Sequence, residues 1–265
     1  MKYLNPIQQA IFDNLDDFLK QKEETILNQD PDALHRMRVS GLKLRIHLWS
    51  FKLLLPVWEY NKIGREIRKI CKSLNQARDL DVQISMLLKL RAKKPVVQYL
   101  KNQRIKLQPS IADNLTRIDK LKLKEKITRY LNSAKAFSSN RALLKISGKK
   151  INKKLQKLLF YADYVNSSKK LKKLHPLRIA AKHLRYTLEL FQPIYAKNLN
   201  GFISHSRLIQ GTLGDMRNYL ILSKCRVLDN PGLKNKLIIR ADRSYAKFAK
   251  TWKKLNVLIS SKKTF

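Results

Sequence analysis

The chain of 265 residues is 44% hydrophobic and carries 57 Lys and Arg against 19 Asp and Glu, a formal net charge of +38. A charge of that size opposes compaction unless counterions or a polyanion offset it, which favours a polyanion-binding protein over a merely cationic surface. Two cysteines cannot make a disulfide framework, the N-terminus lacks the order of a signal peptide, and no run approaches the ~18 apolar residues of a membrane span, so we expect a cytoplasmic protein.

Apolar residues recur with a helical period along most of the chain, and no segment alternates convincingly as a strand. The first 32 residues hold three bases and seven acids, so the rest of the chain carries the positive charge. Asp30-Pro31 predicts an N-cap and a first helical turn, and Pro56 ends that helix. We predict an all-α fold whose helices cover 5–28, 31–55, 58–75, 79–92, 96–135 (bent or broken near Pro109), 141–165, 175–192, 198–213, 216–228 and 233–260.

One long segment occurs twice. LHRMRVSGLKLRIHLWSF, residues 34–51, returns as LHPLRIAAKHLRYTLELF, residues 174–191, at an offset of 140. LNQARDLDV, residues 74–82, matches LGDMRNYLI, residues 213–221, at an offset of 139. The repeat predicts two similar halves, 1–135 and 136–265, built as two helical bundles related by pseudo-symmetry rather than as a solenoid.

On a helical wheel the repeated segment has an apolar stripe and, beside it, a narrow stripe of His and basic residues. A solvated face usually mixes signs, whereas no acid belongs to these stripes, and like charges at successive turns repel by about 0.2–0.5 kcal/mol per pair. Guanidinium groups donate two parallel hydrogen bonds to phosphate, so the doubled stripe predicts an anion site. The stripes consist of His35, Arg38 and Arg45 in the first copy and of His175, Arg178, Lys182 and Arg185 in the second.

The two histidines at equivalent positions have more than one interpretation. A single histidine is usually a structural hydrogen-bonding residue. Neighbouring arginines are expected to lower the pKa of His35 and His175 and keep them neutral near pH 7, and a neutral imidazole still donates one N–H to a phosphate oxygen. No carboxylate or thiol stands at metal-ligand spacing from them, so the sequence predicts no metal and no cofactor.

The pattern H-x-x-R-x-x-x-[basic]-[basic]-L-R, repeated in a helical chain, resembles the CHAD domain family, the conserved-histidine α-helical domain. LNQARDLDV and LGDMRNYL resemble that family's LG-x-x-RDLDV segment. The resemblance covers essentially the whole chain. It implies one compact domain of two four-helix bundles about a pseudo-two-fold axis, with a central basic channel that binds inorganic polyphosphate and performs no catalysis.

The chain departs from the family pattern at a few positions. Leu42 stands where a base is usual, so that pair keeps only Lys43, and His183 stands where a second base is usual. Asn218 replaces the usual Asp. Pro176 follows His175 directly, which disfavours an α conformation at that histidine and predicts that the helix begins there.

Further bases are expected to line the same channel. Three of them share one face of the third helix at i, i+3 and i+7, and others match each other across the repeat. Asp79 and Asp81 are expected to orient arginines. The lysine run 149–157 either joins the site or attracts polyanions only at its periphery. The additional channel bases are Lys62, Arg65, Arg68, Lys72, Arg78, Arg207 and Arg217.

Catalysis is not expected, because acids are sparse outside the first helix and no phosphate-cradling glycine loop, G-x-S-x-G or zinc signature occurs. Nucleic acid is the alternative partner, since phosphate contacts alone give sequence-blind affinity. No RNA-recognition, zinc-finger or helix-turn-helix motif appears, and aromatic residues fall mostly on core stripes. We therefore predict a non-catalytic inorganic polyphosphate-binding protein recruited to polyphosphate granules, with sequence-nonspecific RNA or DNA binding as the alternative.

Overall fold

The computed structural model describes residues 5–30, 32–52, 57–133, 139–165, 171–195, 199–225, 228 and 230–261. These residues form α-helices and short 3₁₀ turns and contain no strand, so the prediction of an all-α fold is confirmed. In chain order the α-helices are α1 (Pro6–Leu27), α2 (Ala33–Ser50), α3 (Val57–Ser73), α4 (Asn75–Lys89), α5 (Lys94–Lys106), α6 (Gln108–Thr116), α7 (Leu123–Ser133), α8 (Asn140–Leu159), α9 (Leu171–Phe191), α10 (Asn200–Ser223) and α11 (Pro231–Ser261).

The chain divides into two compact units, Met1–Leu143 and Leu144–Phe265. In unit 1, α2 packs against α1 and α3, and α4 packs against α5. In unit 2, α10 packs against both α9 and α11. The division falls inside α8, whereas the sequence repeat places it near 135. That one domain unites the halves about a pseudo-two-fold axis stays a prediction.

The repeated segment buries the same positions in each unit. Leu34, Met37, Leu44, Leu48 and Phe51 are all buried in α2 and at its C-terminus, and so are the residues 140 positions later in α9. Apolar residues at this spacing lie on one side of a helix and are removed from water together. The buried equivalents are Leu174, Leu177, Leu184, Leu188 and Phe191.

Gly41 lies where three helices of unit 1 meet closely. A Cβ atom added there would come within 2.6 Å of Cys71 Sγ and 2.8 Å of Phe18 Cε2, so α1 and α3 contact α2 at a position that only glycine fits. The side chain of Cys71, which forms no disulfide, fills this contact. Its role as a packing residue follows from the geometry.

The predicted start of α2 is wrong by two residues. The helix begins at Ala33 after Asp32, whose side chain makes no capping bond. Asp30 Oδ1 instead accepts the Asp32 N–H at 2.8 Å, so Asp30 stabilises the turn that precedes the helix. Pro31, the other half of the predicted signal, lies outside the described residues.

The predicted break in the last quarter of the chain is also wrong. Residues 198–213 and 216–228 were expected as two helices, but α10 runs unbroken from Asn200 to Ser223 through Gly211 and Gly214. A glycine inside a helix costs only about 1 kcal/mol, which the buried contacts of Ile209 and Leu213 offset.

The predicted helix break at Pro109 is present, whereas the predicted helix start at Pro176 is not. The break near Pro109 is confirmed, because α5 ends at Lys106 and α6 begins at Gln108. A second interruption between α6 and α7, where Lys122 adopts a left-handed conformation with φ 47°, was not predicted. Pro176 lies inside α9, so the expectation that His175 precedes the helix is wrong. Burial of the α9 core residues outweighs the one backbone hydrogen bond that Pro176 removes.

Candidate anion-binding site

Arg38 of α2 is fixed against the first turn of α4. Its Nη2 donates to Asn75 Oδ1 at 2.5 Å. Burial lowers the pKa of the Arg38 guanidinium, while the Asp79 carboxylate acts in the opposite direction. An arginine begins so far above neutral pH that it stays charged after such a shift. Unit 1 therefore holds a half-buried, permanent positive charge in a defined position.

The RDLD segment of α4 supplies the other charges around Arg38. Arg78, one of the predicted channel bases, lies 3.8 Å from Asp32 and its side chain is 20% exposed. Asp81 accepts from Arg104 Nε at 2.9 Å. Burial raises the pKa of the Asp81 carboxyl, although the nearby Arg104 acts to lower it. The expectation that Asp81 orients an arginine is thus met with Arg104, which the sequence reading missed.

Arg104 links three segments of unit 1. Besides Asp81, it donates to Gln108 Oε1 at 3.0 Å and to Asn28 Oδ1 at 3.0 Å. It continues the buried line of Val97 and Leu100 on α5. A basic side chain that lies among buried apolar residues of a helix needs acidic or polar partners. The position of Arg104 in the apolar pattern of α5 is therefore the feature of the sequence that could have revealed its role.

Arg178 of α9 makes the corresponding contact in unit 2. Its Nε donates to the Gln210 carbonyl oxygen at 3.2 Å. A Cβ atom on Gly214 would lie 3.0 Å from the same Nε, so the guanidinium rests on the backbone of α10 at that glycine. Gly214 corresponds to Asn75 at the repeat offset of 139. The equivalent arginines therefore meet equivalent positions of the neighbouring helix.

Glu189 corrects the expectation that the second stripe has no acid. It stands four residues after Arg185 on the same helix, and its Oε1 lies 3.1 Å from Arg185 Nε. The same oxygen lies 3.3 Å from Arg207 Nη2 on α10. One carboxylate thus pairs with two predicted channel arginines. Arg185 also lies over the Tyr186 ring, with Cζ 4.3 Å from the centroid.

The remaining predicted site residues divide by exposure. His35, Lys43, Arg45, Lys182 and Arg217 are half-buried. On α3, the buried Ile63, Ile67 and Ile70 define the opposite face from the predicted channel bases. Contact between these residues and a ligand stays a prediction. The predicted site residues that are exposed to solvent are Lys62, Arg65, Arg68, Lys72, His175 and Arg207.

His47 is a buried histidine that the sequence reading did not single out. Its Nδ1 lies 2.9 Å from Asn14 Nδ2, joining α1 to α2. Burial, with a smaller effect of Lys43, lowers the pKa of His47 from 6.5 to about 3. This histidine is therefore neutral and structural at neutral pH. Within the described residues, His, Cys, Asp and Glu form no group of three or more suited to a metal ion.

Positive charge is unequal between the units. Unit 1 carries 29 bases and 14 acids, and unit 2 carries 28 bases and five acids. The excess of bases over acids is therefore larger in unit 2, although each unit holds one copy of the basic stripe.

Each described helix is too short or too polar to cross a membrane.

These features define a class of all-helical proteins with a duplicated basic helix, and comparisons with known proteins identify the family. The model of the CHAD domain matches residues 9–226, so the chain belongs to the CHAD domain family. The crystal structure of the CHAD domain from the plant Ricinus communis is similar at a TM-score of 0.61 and 20% identity, covering 92% of this chain and 86% of that one. At this identity the likeness shows the fold. No curated protein matches the chain.

Proposed function

We propose that the protein binds inorganic polyphosphate through the basic row of α2 (His35, Arg38, Arg45) and the basic row of α9 (His175, Arg178, Lys182, Arg185), without catalysing a reaction on it. The observation that carries the proposal is the matched anchoring of Arg38 on Asn75 and of Arg178 on Gln210 and Gly214. Both arginines are held in place before a ligand arrives, which reduces the ordering cost of binding.

The chemistry of the rows suits a linear chain of phosphates. A guanidinium has five N–H donors, so an arginine that the protein holds by one or two of them retains others for phosphate oxygens. Charge-assisted hydrogen bonds of this kind are about twice as strong as neutral ones. Arg38 and Arg45 are seven residues apart, about 10 Å along the helix, so one row meets several consecutive phosphates.

Two acids close to the rows pair with arginines, which supports a non-catalytic role. Asp81 is engaged by Arg104, and Glu189 pairs with Arg185 and Arg207. A general acid or base exchanges a proton with the substrate through an accessible carboxylate oxygen, whereas Asp81 Oδ1 and Glu189 Oε1 face arginine side chains. In a cell, we propose, such binding recruits the protein to polyphosphate granules in the cytoplasm.

A competition assay tests this function against the nucleic-acid alternative. Labelled long-chain polyphosphate is bound at physiological salt, and unlabelled polyphosphate, transfer RNA and duplex DNA compete at equal phosphate concentration. We expect polyphosphate to displace the probe at the lowest concentration. More effective displacement by either nucleic acid would reject the assignment.

Paired substitutions test the site. R38A/R178A removes two anchored charges, and we expect at least a tenfold loss of polyphosphate affinity, since each charged hydrogen bond contributes about 1.5–3 kcal/mol. R117A/R240A removes the same charge from exposed positions outside the rows and serves as the control. Equal losses in both variants would show that only overall charge matters.

A further inference from the structure

A row of lysines runs along the exposed side of α8, a helix that holds none of the residues of the proposed polyphosphate site. This helix contains seven bases and no acid. Four of its lysines repeat every four residues, about 6 Å apart along the axis. The opposite side buries Ser147, Ile151, Leu155 and Leu158. The exposed row consists of Lys145, Lys149, Lys153 and Lys157.

The internal repeat shows that packing does not require this row. Residues 147, 151, 155 and 158 of α8 and residues 7, 11, 15 and 18 of α1 are buried alike at the offset of 140. At the positions of the four lysines, the first copy has Asn5, the N-cap of α1, and then Gln9, Asp13 and Asp17 within the helix. Like charges four residues apart destabilise a helix, and the lysine row has three such pairs where the other copy has one, Asp13 with Asp17.

An exposed aromatic side chain extends the row. The Phe160 N–H donates to the Gln156 carbonyl oxygen at 2.9 Å, which continues the helical turn past Leu159. Phe160 therefore follows Lys157 by three residues on the same side, and it is 70% exposed. Its ring meets Tyr161 at a centroid distance of 5.3 Å and an interplanar angle of 82°. This edge-to-face contact supports a ring that remains largely in water.

We propose that the α8 surface, consisting of Lys145, Lys149, Lys153, Lys157 and Phe160, binds single-stranded nucleic acid. The lysines neutralise consecutive phosphates, and Phe160 stacks on an unpaired base. Inorganic polyphosphate has no base to stack, and a duplex keeps its bases inside. The nearest acid along the chain, Asp163, lies beyond the ring. This surface shares no residue with the polyphosphate rows on α2 and α9.

The discriminating substitution is Phe160→Ala in the full chain. Affinity is measured by fluorescence anisotropy for an oligothymidine of about 20 nucleotides and, separately, for long-chain polyphosphate. We expect the loss of one stacked base to weaken oligothymidine binding at least about fivefold and to leave polyphosphate binding within twofold. Because Phe160 is exposed, the melting temperature is expected to stay unchanged. No change for oligothymidine, or equal losses for both ligands, would overturn the proposal.

Charge is tested with two matched triple variants. K149Q/K153Q/K157Q removes three charges from the α8 surface, and K247Q/K250Q/K254Q removes three exposed charges from α11. For single strands we expect the slope of log affinity against log salt to fall by about 2 in the first variant and to be unchanged in the second. Equal changes would indicate a diffuse cationic surface. Poly-glutamate that binds as tightly as oligothymidine and loses affinity equally on Phe160→Ala would instead indicate an acidic protein partner and reject nucleic acid.

Discussion

Glu189→Gln is expected to strengthen polyphosphate binding. The carboxylate of Glu189 lies 3.1 Å from Arg185 Nε and 3.3 Å from Arg207 Nη2. In the proposed polyphosphate site, this carboxylate occupies the position between two guanidinium groups that a phosphate oxygen would take. With glutamine there, the three side chains together carry two positive charges instead of one.

The magnitude follows from the distances. A phosphate about 6 Å from the carboxylate is repelled by roughly 1 kcal/mol at an effective dielectric constant of about 50, intermediate between a protein surface and water. Removing that repulsion gives about a fivefold gain in affinity. The side chain of Arg185 is only 13% exposed, so the loss of its partner also lowers stability by about 1–3 kcal/mol.

The assay is isothermal titration of long-chain polyphosphate into the wild type and the variant at two salt concentrations, with melting temperature as the check on folding. Asp113→Asn is the matched control, because Asp113 also pairs with an arginine four residues away, at 2.7 Å, but in an exposed position of unit 1. Unchanged or weaker binding by folded Glu189→Gln would refute the reasoning. In that case the carboxylate would act by orienting the two arginines.

Two further predictions follow from glycine and histidine contacts. Gly214→Ala places a Cβ 3.0 Å from Arg178 Nε and is expected to weaken polyphosphate binding several-fold. Gly211→Ala in the same helix meets nothing within 4 Å and is expected to raise stability by about 1 kcal/mol with binding unchanged. Titration and thermal melting of both variants check this prediction, and equal affinities of the two variants for polyphosphate would contradict it. For His47, the folded-state pKa of about 3 lies below the ordinary 6.5, so its stabilising contribution is complete above pH 6.5 and decreases as the pH falls toward 3. Denaturant unfolding should show that the wild type loses about 2 kcal/mol more than His47→Gln between pH 6.5 and about pH 5; parallel losses would contradict the assigned pKa.

The fold class and the core of the repeated helices could be predicted because both depend on periodicity. Leu34, Leu44 and Leu48 recur at a helical spacing, and burial follows that spacing in both units. The positions where helices begin and end were harder to predict from the sequence. The predicted break between 213 and 216 is absent, because the cost of a helical glycine at Gly214 is smaller than the packing energy of the helix that contains it. Lys122 gave no signal, because neither glycine nor proline marks the turn where it lies.

The candidate site could be predicted only as far as the two copies agree. Aligning the copies identified Arg38 with Arg178, whereas the contacts of Arg38 with Asn75 and of Arg178 with Gln210 are seen only in the structure. Glu189 was missed for the same reason, since the equivalent position in the first copy is Trp49 and a comparison of shared residues discards it. Its interaction with Arg207 also joins residues 18 apart on different helices, which no spacing within one helix indicates.

The two copies of the repeat differ in surface charge, although they bury residues at equivalent positions. α1 holds five acids and two bases, and α8 holds seven bases and no acid, although their buried residues correspond. Burial constrains the inner side of a duplicated helix through packing, whereas solvent leaves the outer side free to change. A positively charged outer side that persists against its own repulsion in one copy alone therefore points to a ligand of that copy.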